Sequence, residues 1–354
     1  MPATHHCDLA IVGGGLAGGL IALAMAKKRP GCDIRLIEGG RQIGGNHLWS
    51  FFASDVAAAD RWLVAPLISY GWTRYDVAFP AHRRTLKAHY YSIESERFDR
   101  VIRAALPEDA LMTRRKVLAA SSKAVVLADG DRVEARGVID CRGPGDLGLL
   151  ELGWQKFYGR ELRLSEPHAL ARPVVMDATV EQADGYRFVY ALPFAATRLF
   201  VEDTYYSDTP EPDIAAMGGD FEAYWQSGGN KVAKAGARAG LFHPLTSYSL
   251  PDAVRTAALV AGASDFSGAG LHELLHGFAR KAWKRRGFYR MLAAMLFKAA
   301  EPGERYRILE RFYRLDPHLI ARFYAGQSTL FDRGRVLAGK PPVPVGRAVK
   351  ALRK

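Results

Sequence analysis

The chain has 354 residues, 49% of them hydrophobic and 24% charged, with 49 Lys and Arg against 37 Asp and Glu and a formal net charge of +12. That length and apolar content suit an α/β globule with one nucleotide-binding region and a second packed or inserted region. No run approaches the roughly eighteen apolar residues of a membrane-spanning helix, the first residues lack signal-peptide zones, and Cys7, Cys32 and Cys141 are too scattered for a disulfide framework.

The first predicted element is the strand Leu9-Ala10-Ile11-Val12, which runs into Gly13-x-Gly15-x-x-Gly18 with Gly14 inside the turn. The first glycine of such a pattern permits the tight turn, the second lets backbone approach a pyrophosphate, and the third lets helix and strand pack closely. A helix is expected over Leu20 to Ala26, its positive end facing the phosphates. The next apolar run, Ile34-Arg35-Leu36-Ile37, ends in Glu38, placed to hold a ribose hydroxyl. An acid there favours an unphosphorylated adenosine ribose, hence FAD or NAD over NADP.

Three further segments point to FAD. Arg41-x-x-Gly44-Gly45 resembles the second element of flavoproteins of the glutathione-reductase and hydroxybenzoate-hydroxylase type, and Val138-Ile139-Asp140-Cys141-Arg142-Gly143 resembles their later strand that ends over the cofactor. The run from Gly236 through Gly240, Pro244 and Thr246 to Ser249 is similar to the loop that, in those proteins, meets the ribityl chain and isoalloxazine. It departs at Ala237, where that resemblance implies a ribityl-binding aspartate.

Two candidate strands follow one another in the middle of the chain. Tyr186, Phe188 and Tyr190 alternate on one face of the first. In the second, Arg198 to Tyr206, period-two alternation puts Phe200, Glu202 and Thr204 on one face and Leu199, Val201 and Asp203 on the other. A carboxyl in aromatic and aliphatic company resists ionisation and can serve as a general acid. Aromatic faces beside it attract a developing cation by roughly 0.5–2 kcal/mol each. Glu202 is the expected acid; Asp203 is a second candidate whose charge can raise its neighbour's pKa.

Together the blocks Gly44 to Phe51, Tyr186 to Phe194, Arg198 to Asp208, Phe242 to Pro251 and Arg322 to Pro342 resemble bacterial lycopene β-cyclases. The resemblance implies a hydroxybenzoate-hydroxylase-type FAD fold and a redox-neutral reaction on a carotenoid, lycopene. Protonation of a terminal isoprenoid double bond would give a cation that closes to a β-ionone ring. Reduced FAD would be required, with NAD(P)H as its source of electrons, and whether Glu202 or the reduced flavin delivers the proton is left open. A flavin monooxygenase or a prenyl-lipid reductase would use the same fold.

The basic charge is concentrated at the end: from Gly277 to Lys354 there are nineteen Lys and Arg against five Asp and Glu. Lys281, Lys284, Arg285, Arg286 and Arg290 lead into Phe288 to Phe297, a cationic and apolar helical pattern suited to an anionic membrane surface. No nucleic-acid recognition motif accompanies the charge, and no Cys or His spacing suggests a metal; His47 and His243 are expected to pack near the flavin. The expected location is the cytoplasm, at the inner face of the membrane. The expected architecture is a Rossmann-like FAD-binding region from residues 1–75, 95–160 and 230–285. A β-rich substrate region spans 160–230 with about 76–94, and a basic helical segment spans 286–354. Pro210-Glu211-Pro212 and Pro341 to Pro344 are expected to form a turn and an extended stretch.

Overall fold

Leu9, Ala10, Ile11 and Val12 are all fully buried, which places the strand Thr4–Val12 inside a sheet covered on both faces. In this computed structural model, which describes residues 2–183, 185–209, 213–339 and 343–352, it pairs in parallel with Ile34–Ile37 and with Arg132–Asp140. Leu111–Met112 extends the sheet beyond Ile34–Ile37, Ala233–Lys234 pairs with Arg132–Asp140, and the hairpin Val117–Ala120 and Ala124–Leu127 adds an antiparallel arm. Leu9 and Ile11 face helices Leu16–Lys28 and Leu250–Ala261, while Ala10 and Val12 face the antiparallel arm. The expected turn at 210–212 lies outside the described residues, as do Pro341 and Pro342.

A second seven-stranded sheet runs in the order Asp213–Gly219, Leu150–Arg163, Arg198–Ser207, Tyr186–Ala195, Val174–Asp177, Tyr75–Phe79, His82–Leu86. The strand Leu150–Arg163 therefore belongs wholly to this sheet, paired with Arg198–Ser207 through most of its length. A small third sheet, Leu48–Phe52, Tyr90–Glu94 and Tyr70–Trp72, leans against it and brings Tyr90 to Tyr190. The same face of the second sheet is closed farther along by the C-terminal helices Gly287–Lys298, Tyr306–Phe312 and Pro317–Tyr324. These contribute Tyr289, Leu296, Phe312 and Phe323 to one aromatic core.

The C-terminal positive charge is not all on the surface, and this corrects part of the sequence expectation. Arg286 is 6% exposed, ion-paired to Asp252 at 2.7 Å, and donates to the Phe242 carbonyl. Arg290 stacks on Trp283 with its guanidinium 4.1 Å from the ring centre, and burial pulls its pKa down to about 10. The apolar side of Gly287–Lys298 enters the core instead of lying free on a surface, with Ala293, Leu296 and Phe297 buried. Lys281, Lys284 and Arg285 remain exposed. Among the described residues no helix is long and apolar enough to cross a membrane.

Candidate active site

The glycine turn sits at the carboxyl end of Thr4–Val12, flanked by the ends of its two parallel neighbours; Val12 is in register with Ile37 on one side and Asp140 on the other. Ligands of open α/β sheets bind at such strand ends. Gly13 has φ +99°, and a Cβ on Gly18 would stand 1.9 Å from the Gly13 carbonyl oxygen, so both glycines are required by the turn itself. Gly15, the residue before the helix, is different: a Cβ there meets nothing within 4 Å. Glu38 accepts hydrogen bonds from the Gly14 and Gly40 amides, each at 2.7 Å, which holds its carboxylate beside the turn.

Gly13, Gly15 and Glu38 line a cleft of about 490 Å³ that also includes Gly45, Trp49, Arg115, Lys116 and Arg142, with Gly14 and Gly18 behind its wall. Arg41 is exposed and lies outside the cleft wall, its carbonyl accepting from Arg103. Arg115 and Lys116, which the sequence reading missed, follow the edge strand Leu111–Met112; their position at a strand end becomes visible only once that short strand is placed in the sheet. Asp140 is fully buried. Burial alone would raise its pKa, but the two-pronged bond from Arg142 and the Arg238 guanidinium hold it below the usual carboxylate range.

A second cavity, of about 590 Å³, opens between the second and third sheets and shares His47 with the first cleft, so the two meet there. Its wall contains Glu202, Phe200, Tyr206, Phe188, Tyr190, Phe52, Tyr90, Phe194, Tyr248, Thr246 and Tyr324. The strand alternation explains the acid's placement. Phe200, Glu202 and Tyr206 face the cavity, and in register Glu202 stands between Tyr190 on one neighbouring strand and Gly159 on the other. Gly159 leaves room beside the carboxyl; a Cβ there would come within 2.7 Å of the Phe200 ring. Thr204 donates to Glu202 Oε1 at 2.8 Å.

Asp203 faces the other side of the sheet. There Arg187 grips it with two bonds of 2.9 and 2.8 Å and Tyr205 adds a third, an arrangement that holds its pKa down. Of the remaining acids of the cavity, Glu94, Glu96 and Glu161, the first and the last share Arg198. Tyr186, expected to face the same space, is instead buried against Phe188 and Tyr206. Gly240 takes the left-handed conformation, φ 67°, that ends the turn Gly236–Ala239; Pro244 is buried behind it, and Thr246 reaches the cavity with its hydroxyl oxygen buried. His243 is packed on Tyr289 and Phe323, and burial lowers its pKa to about 3, so it is neutral.

One acid near the cavity was not foreseen. Asp55 is 3% exposed, accepts from the Tyr248 hydroxyl and the Phe52 amide at 2.7 Å each, and is raised by burial to about 7 in spite of those two bonds and the nearby Arg255. Tyr248 carries this group's influence to the cavity wall. Because the folded pKa lies above the carboxyl's value of 3.8 in an open chain, the folded state holds the extra proton between those two values. Its contribution is therefore fully present at acid pH and lost as pH rises toward 7. The Asn variant at Asp55 keeps both hydrogen bonds and does not titrate. Its melting temperature should fall less than the wild type's between pH 5 and pH 7, the underlying stability difference approaching about 1.4 kcal/mol per pH unit at most. Parallel melting curves across that range would refute the assignment.

Comparison with known proteins places this geometry. A family model described as "Lycopene cyclase protein" matches residues 8–229 and 213–350. A lycopene beta-cyclase from Pantoea ananas is 42% identical, the match covering 98% of this chain and 98% of that one. Klebsiella pneumoniae HpxO, solved with FAD and uric acid, superposes with a TM-score of 0.62 at 12% identity, covering 90% of this chain and 96% of that chain. PqsL from Pseudomonas aeruginosa, described as a probable FAD-dependent monooxygenase, gives a TM-score of 0.61 at 15% identity over 87% of this chain and 100% of its own. At those identities the likeness is one of fold, the α/β flavoprotein fold of the hydroxybenzoate-hydroxylase type.

Proposed function

The chain belongs to the lycopene cyclase family, and from that we propose that it closes the ψ-ends of lycopene into β-ionone rings, through γ-carotene to β-carotene, by acid catalysis with reduced FAD. The observation that carries this reading is the Glu202 carboxyl facing an aromatic cavity that meets the dinucleotide cleft at His47. A polyene offers no polar handle. Its site needs an acid, apolar walls and electron-rich surfaces for a carbocation, and this cavity supplies them.

The residues of the first cleft fit a dinucleotide. Gly15 leaves open space where a pyrophosphate would approach, the helix Leu16–Lys28 presents its positive end, and Glu38 stands where an adenosine ribose would lie. Bound there in its reduced, anionic form, FAD supplies negative charge near the cation without a net transfer of electrons. Glu202 delivers its proton to the terminal double bond of the ψ-end, the resulting cation is attacked by the internal double bond to close the ring, and a ring carbon gives up a proton that restores the Glu202 carboxyl. The product is an isomer. Tyr190, Phe188 and Phe200 flank the cation with their ring faces.

Incubation of reduced-flavin protein with lycopene in liposomes should give a product of unchanged mass with the spectrum of β-carotene. A gain of oxygen or of hydrogen would overturn the cyclase reading in favour of a monooxygenase or a reductase. NAD(P)H, the proposed source of electrons, should be consumed on reducing the flavin and not once per ring.

Collection of lycopene from a bilayer fits peripheral contact with an anionic membrane through the exposed Lys281, Lys284 and Arg285. Removing these three charges should weaken binding to anionic vesicles by about 1 kcal/mol each, while activity on detergent-solubilised substrate survives. Unchanged vesicle binding would remove this surface from the account. Arg286 is unsuitable for the test, because its removal takes the shorter of two ion pairs from buried Asp252 and leaves it only Arg255 at 3.3 Å.

A further inference from the structure

A third cavity lies between the second sheet and the C-terminal helices, lined by Leu292, Met295, Leu296, Leu309, Phe312 and Val336 among other apolar side chains. It shares Met176, Tyr206, Thr246 and Tyr324 with the Glu202 cavity, so only the thickness of those side chains separates the two. At its other end Leu337 is 47% exposed, on the helix Leu330–Leu337 whose first residues, Leu330 and Phe331, are 83% and 79% exposed.

We propose that this cavity is the binding subsite for the distal arm of the substrate, a long unfunctionalised polyene, and that the arm passes from the Glu202 cavity between the C-terminal helices toward Leu337. This rests on the cyclase reading and deepens it. With one ψ-end at Glu202, the rest of the hydrocarbon must leave the aromatic cavity by some route. The mouth beside Glu94, Glu96 and Glu161 is acidic, with Arg198 bridging Glu94 and Glu161, and an extended hydrocarbon there would displace water from charged groups for no return. Past Met176 and Tyr324 lies the third cavity, of about 120 Å³, whose lining is apolar apart from Thr246, Arg311 and the tyrosine hydroxyls and so favours the stretch of hydrocarbon next to the bound end. Exposed Leu330, Phe331 and Leu337 would sit at the end where the polyene joins a lipid phase.

The test narrows the passage without touching the acid. Leu309→Trp, on the helix Tyr306–Phe312, and Leu292→Phe, on Gly287–Lys298, each add bulk from a different helix. Flavin-loaded proteins in detergent are given lycopene or a short analogue that keeps one ψ-end and lacks the distal arm. Lycopene binding is read from the shift of its absorption, and ring formation from chromatography. Each variant should lower lycopene affinity and kcat/KM by about tenfold or more and leave the short analogue within about twofold of wild type. Flavin content and melting temperature report folding, and with two variants the outcome does not hang on one that folds poorly. Equal losses on both substrates, or no loss on either, would overturn the proposal. Wild-type protein that binds lycopene and forms no ring would instead count against the cyclase reading, and the binding comparison would still decide whether the passage holds the arm.

Discussion

Glu202→Gln should abolish ring closure while leaving the fold and the flavin site intact. The amide keeps the size of the carboxyl and an oxygen to accept the Thr204 hydroxyl bond within the strand Arg198–Ser207. What it loses is an acidic proton. General acids contribute about 10²–10⁴ in rate, and a polyene has no other handle by which a partial effect could be rescued. A residual rate within a few-fold of wild type would move the proton donor to the reduced flavin or to another carboxyl. Asp203→Asn is the matched control one residue away. It breaks a half-exposed ion pair with Arg187 on the opposite face, an effect of about 1 kcal/mol on stability, and should leave turnover close to wild type. Loss of turnover in the Asp203 variant alone would remove Glu202 from its role.

The two carboxyls also show what the sequence could reveal. A strand's period of two separates Glu202 from Asp203 before any tertiary contact is known, and the structure keeps them apart as that alternation requires. The glycine turn was legible for a similar reason, since its spacing encodes a local backbone path between a strand and a helix. Asp55 was not. Nothing in Ser50-Phe51-Phe52-Ala53-Ser54-Asp55 distinguishes it from a surface acid, and its burial depends on Tyr248, almost two hundred residues later in the chain. The basic run ending in Arg286 misled for the converse reason: four cations close together read as one face turned to an anionic membrane surface, and only Asp252, supplied by the helix Leu250–Ala261, draws one of them inward. Local periodicity was readable; burial set by distant partners was not.

That distinction sharpens the test of the cofactor site, because the glycines of one motif do different jobs. Gly15→Val should yield a folded protein that cannot retain FAD. Its added side chain meets no protein atom within the reach of a Cβ and points into the space a pyrophosphate would use, so the apo fold has nothing to resist. Gly18→Ala should instead damage the fold, since its Cβ would overlap the Gly13 carbonyl at the junction of Thr4–Val12 and Leu16–Lys28. Ultracentrifugation and melting curves would separate the two outcomes, and the flavin absorbance of the purified protein reads the first directly. Stoichiometric flavin in folded Gly15→Val protein would show that the cofactor binds elsewhere. Loss of flavin only together with loss of the fold would show that Gly15 serves the turn and not the phosphates. A folded, flavin-free Gly15 variant should also be inactive on lycopene while still binding it, because the aromatic cavity and the passage beyond it are built from the second sheet and the C-terminal helices, away from the glycine turn.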